Sequence, residues 1–123
     1  MLAVYQYSKC STCRNALRWL DTHAVRYERI DIVTSPPTSA ALRKVLELTG
    51  LPVARLFNTS GQSYRDGNYR ERLKTLSLTQ ALAELAKDGK LIKRPLVVSE
   101  NIALVGFDEQ VYASRLEALL TTD

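Results

Sequence analysis

Two cysteines, Cys10 and Cys13, lie three positions apart in the segment "YSKCSTCRNALRWL", and they are the only cysteines among the 123 residues of the chain. A Cys-x-x-Cys pair can bind a metal ion, form a structural disulfide, carry out reversible thiol–disulfide chemistry, or pack as two inert side chains. The residues around the pair bear on each of these four interpretations.

A metal site or a structural disulfide is not favoured. Structural zinc needs four ligands, and the chain offers two cysteines and a single histidine, His23. If Cys13 and His23 share a helix, about ten residues place them ~15 Å apart, too far for one ion. The segment "MLAVYQYSK" lacks the features of a signal peptide. We therefore expect a cytoplasmic protein, in a compartment that keeps thiols reduced, with no bound metal or cofactor.

The position of the pair favours redox chemistry. Cys10 lies where a β-prone run, Leu2 to Tyr7, meets a segment with helical spacing, "STCRNALRWLDTH". Unpaired N–H groups and the positive end of the helix dipole stabilise a thiolate there. Cys10 is then the predicted nucleophile, and Cys13, one turn along, the thiol that closes the disulfide. Inert packing stays open, because Cys13 falls on the apolar side of the predicted helix.

The same helix start is a predicted anion site. Lys9 and Arg14 add positive charge beside Cys10, and Ser11 or Thr12 is predicted to cap the helix. These four residues are the candidate anion-binding residues at this end of the chain.

A second candidate segment is "IKRPLVV". A proline before a late β-prone run often faces the redox cysteines of a thioredoxin-like chain, so Pro95 is predicted beside the pair and is a further candidate anion-binding residue. Arg94 is the candidate to lie over the thiolate or a bound anion. The alternatives are a proline that merely begins a strand and a solvated surface arginine.

The predicted elements must bring these segments together. They are two strands around the first helix, several further helices, two strands joined by a hairpin, and a final helix. Gly50 is predicted to close the helix Ser39–Gly50, Ser77 to cap the helix Leu78–Gly89, Gly89 to end it, and Asp108 to cap the last helix. The predicted bounds of the strands are Leu2–Tyr7, Ala24–Val33, Leu96–Ser99 and Ile102–Val105. This order predicts an α/β fold, a thioredoxin-like mixed four-stranded sheet with a helical insertion between its two halves. We expect one domain over residues 1–123, with the insertion at roughly residues 37–89.

Composition agrees with a soluble domain and restricts its partners. Apolar residues make up 46% and charged residues 24% of the chain, and the net charge is +4. The charges are spread along the chain, which does not favour direct binding of nucleic acid. No apolar run approaches the roughly 20 residues of a membrane span, so no membrane association is expected.

Three segments taken together, "KCSTCRNAL", "LFNTSGQSYR" and "GKLIKRPLVV…VGF", resemble the arsenate reductase family of the glutaredoxin-linked type and, within it, the Spx/MgsR-like branch. The resemblance implies that Cys10 is the nucleophile and that Arg94 is a retained oxyanion-binding arginine. Cys13 stands where arsenate-reducing members usually have serine. The two other arginines of the family pattern fall on Asn58 and Phe107.

The resemblance also implies a cysteine-based redox function in the cytoplasm. We expect a monomeric oxidoreductase that reduces an arsenate-like oxyanion or a disulfide and is regenerated by glutathione and glutaredoxin or by thioredoxin. The departures from the arginine pattern place arsenate itself in question as the substrate. The alternative is an Spx-like redox-sensing regulator that binds RNA polymerase.

Overall fold

The structure is a computed structural model that describes residues 1–120. The chain divides into two compact units, the first formed by Met1–Ile30 with the chain from Arg94 onward, and the second by Asp31–Lys93. The predicted insertion at roughly residues 37–89 lies within the second unit. Among the described residues, no helix is both long and apolar enough to cross a bilayer.

Four strands form one sheet in the order β2-β1-β3-β4. Their bounds are Leu2–Gln6 for β1, Tyr27–Asp31 for β2, Leu96–Val98 for β3 and Ala103–Val105 for β4. β1 and β3 are antiparallel, with Val4 opposite Val97, and β3 and β4 are antiparallel, with Val97 opposite Leu104. The prediction of an α/β fold with a mixed four-stranded sheet is confirmed.

The second strand is shorter than predicted at both ends. Ala24 adopts a left-handed backbone with φ of 57°, and the N–H of Val25 donates to the carbonyl of Leu20 at 2.9 Å. At the other end the Asp31 side chain accepts from the N–H of Val33 at 2.8 Å. These local hydrogen bonds turn the chain where the alternation of side chains predicts continued strand.

Besides strands, the first unit contains three helices: α1 (Ser11–Thr22), α6 (Glu109–Arg115) and α7 (Glu117–Leu120). The apolar face of α1 packs with one face of β1 and with residues of β3, β4 and α6; this core comprises Leu2, Val4, Ala16, Leu17, Trp19, Leu20, Val25, Val97, Leu104, Tyr112 and Leu116. The predicted cap of the last helix is confirmed, because the Asp108 carboxylate accepts from the N–H groups of Gln110 and Val111.

The second unit is helical. It contains α2 (Ser39–Thr49), α3 (Gln62–Asp66), α4 (Tyr69–Arg72) and α5 (Leu78–Lys87), with 3₁₀ turns at Val53–Leu56 and Gly89–Leu91. Ser77 caps α5 and Gly50 ends α2, both as predicted. Ser77 also forms a reciprocal capping box with Gln80, and Gly50 adopts the left-handed conformation. α2 and α5 pack together through buried apolar side chains such as Leu42, Val45 and Leu82.

Gly89 is not the residue that ends α5. The helix ends at Lys87, with Asp88 as its C-terminal cap, and the Asp88 side chain then begins the following 3₁₀ turn. A Cβ atom at Gly89 would collide with the backbone carbonyl of Ile32. Glycine is therefore needed here because the backbone of Ile32 approaches closely.

Candidate active site

Cys10 is the N-terminal cap of α1. Its backbone is extended, with φ of −102° and ψ of 114°, and its N–H donates to the carbonyl of Tyr7 at 3.0 Å. Its Sγ accepts the backbone N–H of Cys13 at 3.2 Å. The prediction that Ser11 or Thr12 caps the helix is wrong, because the turn at Tyr7–Cys10 makes Ser11 the first helical residue. A helix N–H is thus directed at the Cys10 sulfur, an arrangement that favours negative charge on it.

Cys13 lies one turn further on and is fully buried, with 0% of its surface exposed. Burial, and after it a hydrogen bond with Cys10, are the largest effects on the pKa of Cys13, which is raised to about 12. The Tyr7 backbone lowers this pKa, the charge of Cys10 raises it further, and the charge of Arg94 lowers it. The Cys13 thiol therefore holds its proton at neutral pH. Both cysteines are present as free thiols.

The segment around Arg94 and Pro95 is brought to the cysteine pair. The peptide bond between these two residues is cis, and Pro95 is buried directly before β3. The Arg94 guanidinium lies 5.3 Å from the centre of the Tyr7 ring. Its charge reaches Cys13, since it lowers the pKa of that thiol. The two segments that the sequence singles out for chemistry thus meet at one place in the first unit.

The predicted anion-binding residues next to Cys10 are all exposed: Lys9, Ser11, Thr12 and Arg14. The Arg14 guanidinium also donates to the backbone carbonyl of Ser8 at 2.9 Å. It therefore holds the loop that leads into Cys10. An anion-binding role for these four residues remains a prediction.

The two positions where the family pattern has further arginines lie in different units. Phe107, in the first unit, packs its ring edge-on against Tyr112 with centroids 4.8 Å apart. Asn58, in the second unit, donates its backbone N–H to the carbonyl of Leu91 at 2.8 Å. Neither side chain supplies the positive charge that an arginine would bring to an oxyanion.

Two tyrosines near the cysteines were not predicted from the sequence. Tyr7 interacts with Cys13 through its backbone and with Arg94 through its ring. Tyr112 is 1% exposed, its hydroxyl donates to the carbonyl of Gly106 at 2.6 Å, and burial and the charge of Cys13 raise its pKa. The sequence offers one signal for Tyr112: it lies on the apolar side of the last helix, so its hydroxyl is expected to need a buried hydrogen-bond partner.

His23 lies at the opposite end of α1 from the cysteine pair. Its ring stacks on Trp19 with centroids 3.9 Å apart, and its Nδ1 lies 2.8 Å from the Trp19 carbonyl, to which it can only donate. Within residues 1–120, no three His, Cys, Asp or Glu side chains come together in a way that could hold a metal ion.

Comparisons with known proteins concern the family and the fold of the chain. A sequence model of the ArsC family matches residues 5–114. The chain is 41% identical to the uncharacterized protein YusI of Bacillus subtilis over 111 residues, which cover 90% of this chain and 94% of YusI. It is 26% identical to the global transcriptional regulator Spx of Lactiplantibacillus plantarum, over 89% of this chain and 81% of Spx.

The fold also matches a solved structure, described as a possible arsenate reductase from Streptococcus mutans UA159. The TM-score is 0.82 and the identity 48%, over 87% of this chain and 91% of the other. The thioredoxin-like fold and the resemblance to the Spx/MgsR-like branch are thereby confirmed. Since the family match spans most of the sequence, the chain belongs to the ArsC family.

Proposed function

We propose that this protein is a thiol–disulfide oxidoreductase in which Cys10 attacks the substrate and Cys13 resolves the product. The observation that supports this proposal is the hydrogen bond from the backbone N–H of the buried Cys13 to the Sγ of the part-exposed Cys10. One sulfur is accessible at a helix start, and the second lies one turn behind it, protected from solvent.

With a disulfide substrate the reaction proceeds in two exchanges. The Cys10 thiolate attacks one substrate sulfur, a bond forms between them, and the other half of the substrate leaves as a thiolate. Cys13 then loses its proton and attacks the Cys10 sulfur, which releases the second half and leaves a Cys10–Cys13 disulfide. The substrate gains the two electrons that the cysteine pair loses.

The surroundings of the Cys13 thiol support this order of the two exchanges. Two of the causes that raise the pKa of Cys13 come from Cys10, namely its hydrogen bond and its charge. Once the Cys10 sulfur is bonded to substrate it no longer carries charge, so the Cys13 thiol gives up its proton more easily. The positive charge of Arg94 acts in the same direction. Attack at Cys10 thereby prepares Cys13 for the resolving step.

An oxyanion such as arsenate can enter the same cycle. Cys10 displaces water from arsenate to form a sulfur–arsenic bond, and Cys13 then attacks the Cys10 sulfur. Arsenic takes the electron pair of the broken bond and leaves as arsenite. A dithiol reductant of the glutaredoxin or thioredoxin type, or glutathione, returns the Cys10–Cys13 disulfide to two thiols. We further propose that the protein acts in this way in the cytoplasm.

Single-cysteine variants test the proposed mechanism. With glutathione disulfide as substrate, Cys13→Ser should accumulate a mixed disulfide at Cys10, visible by intact mass and removed by dithiothreitol. Cys10→Ser should form none in the same time, and the wild type should pass to the internal disulfide. Equal turnover of glutathione disulfide or arsenate by Cys10→Ser and by the wild type would contradict the mechanism.

A second candidate function is a redox-sensing regulator that binds RNA polymerase, supported by the relatives named Spx and by the distribution of charge. Residues Asp31–Lys93 contain ten Lys and Arg against six Asp and Glu, whereas the rest of the chain has seven of each. The net charge of +4 therefore belongs to the second unit, where it would favour an acidic protein partner.

Binding of purified RNA polymerase to the reduced and the oxidised protein tests this candidate. We expect the reduced and the oxidised protein to bind RNA polymerase with different affinities, and we expect both affinities to fall as salt is added. In Cys10→Ser, which cannot form the disulfide, binding should not depend on oxidation. Binding of neither state at low salt would exclude the regulator.

A further inference from the structure

Tyr112 of α6 is buried in the first unit, and the proposed reaction does not use its hydroxyl. Only 1% of the residue is exposed, and the hydroxyl donates to the backbone carbonyl of Gly106 at 2.6 Å. The side chain therefore reaches back from α6 to the end of β4, across the residues that connect them.

Gly106 extends this contact to the Pro95 segment. Its N–H donates to the carbonyl of Pro95 at 2.8 Å, while its own carbonyl accepts the Tyr112 hydroxyl. Its φ of 80° lies in the left-handed region, which a residue with a Cβ rarely adopts. This backbone conformation directs one polar group of Gly106 to Pro95 and the other to Tyr112.

The Tyr112 ring is held from two sides. Trp19 meets it edge-on with centroids 5.7 Å apart at 87°, and Phe107 meets it edge-on at 4.8 Å and 88°. Such edge-to-face pairs are favourable arrangements of aromatic rings. Trp19 belongs to α1, the helix that carries Cys13, so Tyr112 is fixed relative to the cysteine helix as well as to Gly106.

From these contacts we infer that Tyr112 is a positioning residue, which holds the Arg94–Pro95 segment against the Cys10–Cys13 pair through Gly106. Its meaning for catalysis rests on the proposed function, but the positioning itself does not. Tyr112 links three parts of the first unit: the cysteine helix, the end of the β3–β4 hairpin and α6. The charge of Arg94 acts on Cys13 from this segment, so a loosened segment should alter how the pair exchanges protons and electrons.

Tyr112→Phe removes the hydroxyl and keeps the ring. The matched control is Tyr27→Phe, which removes a tyrosine hydroxyl that donates to Asp21 Oδ1 at 2.7 Å in the same unit, on an exposed surface. The first readout is the equilibrium of the Cys10–Cys13 disulfide with two glutathione thiols, which yields the dithiol and glutathione disulfide. We expect Tyr112→Phe to shift this equilibrium constant about threefold or more, and Tyr27→Phe to leave it near the wild-type value.

The second readout is the alkylation rate of Cys13 in a Cys10→Ser background. Adding Tyr112→Phe should raise this rate roughly tenfold, because we expect a loosened Arg94–Pro95 segment to let the reagent reach the buried thiol more often. The rate should not change with urea below the unfolding transition, since local opening exposes little surface, whereas labelling through global unfolding rises with urea. Equal values for Tyr112→Phe and Tyr27→Phe in both readouts would overturn the inference.

A second variant keeps the inference testable if Tyr112→Phe does not fold. Phe107→Leu removes one ring that holds Tyr112 but leaves its hydroxyl, at a position that is only partly buried. Phe107→Leu should also raise the Cys13 labelling rate, but by less than Tyr112→Phe does. An unchanged rate would count against positioning by Tyr112.

The second readout requires no substrate, which separates the two proposals. If the wild type lacks oxidoreductase activity while Tyr112→Phe raises the Cys13 labelling rate, the proposed function fails and the positioning role stands. If the wild type is active while neither Tyr112→Phe nor Phe107→Leu shifts a readout, the positioning role fails alone.

Discussion

The backbone N–H of Cys13 donates to the Sγ of Cys10 at 3.2 Å, so the residue that resolves the proposed reaction also holds the sulfur that begins it. The two thiols differ sharply in their surroundings. Cys10 is part-exposed at the start of α1, whereas Cys13 is fully buried and has a pKa raised to about 12.

The first prediction concerns the order in which the two thiols react. In the reduced wild type at neutral pH, iodoacetamide should modify Cys10 on the order of a hundred times faster than Cys13, because reaction needs an accessible thiolate. Peptide mass spectrometry after timed quenching gives both rates. The same measurement in concentrated urea is the control and should give similar rates. Similar rates in the native protein would contradict the assignment of roles.

The second prediction concerns stability at high pH. The pKa of Cys13 is raised from 9.0 to about 12, so between these values the unfolded chain has lost a proton that the folded protein retains. This contribution to stability is fully present below pH 9 and is lost as pH rises from 9 toward 12, with a slope of at most about 1.4 kcal/mol per pH unit.

Urea unfolding of the reduced wild type and of Cys13→Ala at several pH values measures this contribution. The difference in the free energy of unfolding between the two proteins should be constant up to about pH 8.5 and should then change in favour of the variant. Taking the difference between the two proteins cancels the contribution of tyrosines and lysines, which titrate in both. A difference that stays constant to pH 10.5 would show that Cys13 keeps an ordinary pKa.

The third prediction concerns Arg94. Its charge lowers the pKa of Cys13, so Arg94→Gln should slow closure of the Cys10–Cys13 disulfide by about threefold or more, because the resolving thiol then gives up its proton less easily. Arg94→Lys keeps the charge and should be slowed less. Decay of a preformed mixed disulfide at Cys10, followed by rapid mixing and acid quench, gives the rate.

Arg18→Gln is the matched control for this measurement. Arg18 is an exposed arginine of α1 whose side chain contacts Asn15, and its removal should leave the rate unchanged. If Arg94→Gln closes its disulfide as fast as Arg18→Gln, Arg94 has no part in the resolving step.

The fourth prediction compares two glycines of the second unit. Gly89→Ala should destabilise the protein more than Gly50→Ala, because a Cβ at Gly89 meets the backbone of Ile32 while a Cβ at Gly50 meets nothing within 4 Å. The cost at Gly50 is that of a left-handed residue with a side chain, about 1–2 kcal/mol. Thermal or urea unfolding gives both values, and a smaller cost at Gly89 would contradict the close approach.

Features that depend on a few neighbouring residues were predictable. The caps at Ser77 and Asp108 and the end of α2 at Gly50 follow from short hydrogen-bonded motifs, and all three are confirmed. The second strand was predicted too long, because the alternation of its side chains does not reveal the turns around Ala24 and Asp31. The cap of α1 was missed because sulfur is an unusual acceptor at that position.

By itself the sequence determined which residues could carry the chemistry: a Cys-x-x-Cys pair between a strand and a helix, and an Arg-Pro segment before a late strand. Those are properties of residue type and short-range spacing. Only the tertiary structure decided that Cys13 is fully buried, that Arg94 acts on it, and that Tyr112 reaches Pro95 through Gly106. Burial and electrostatic interaction depend on atoms from segments that are distant along the chain, and these meet only when the chain is folded.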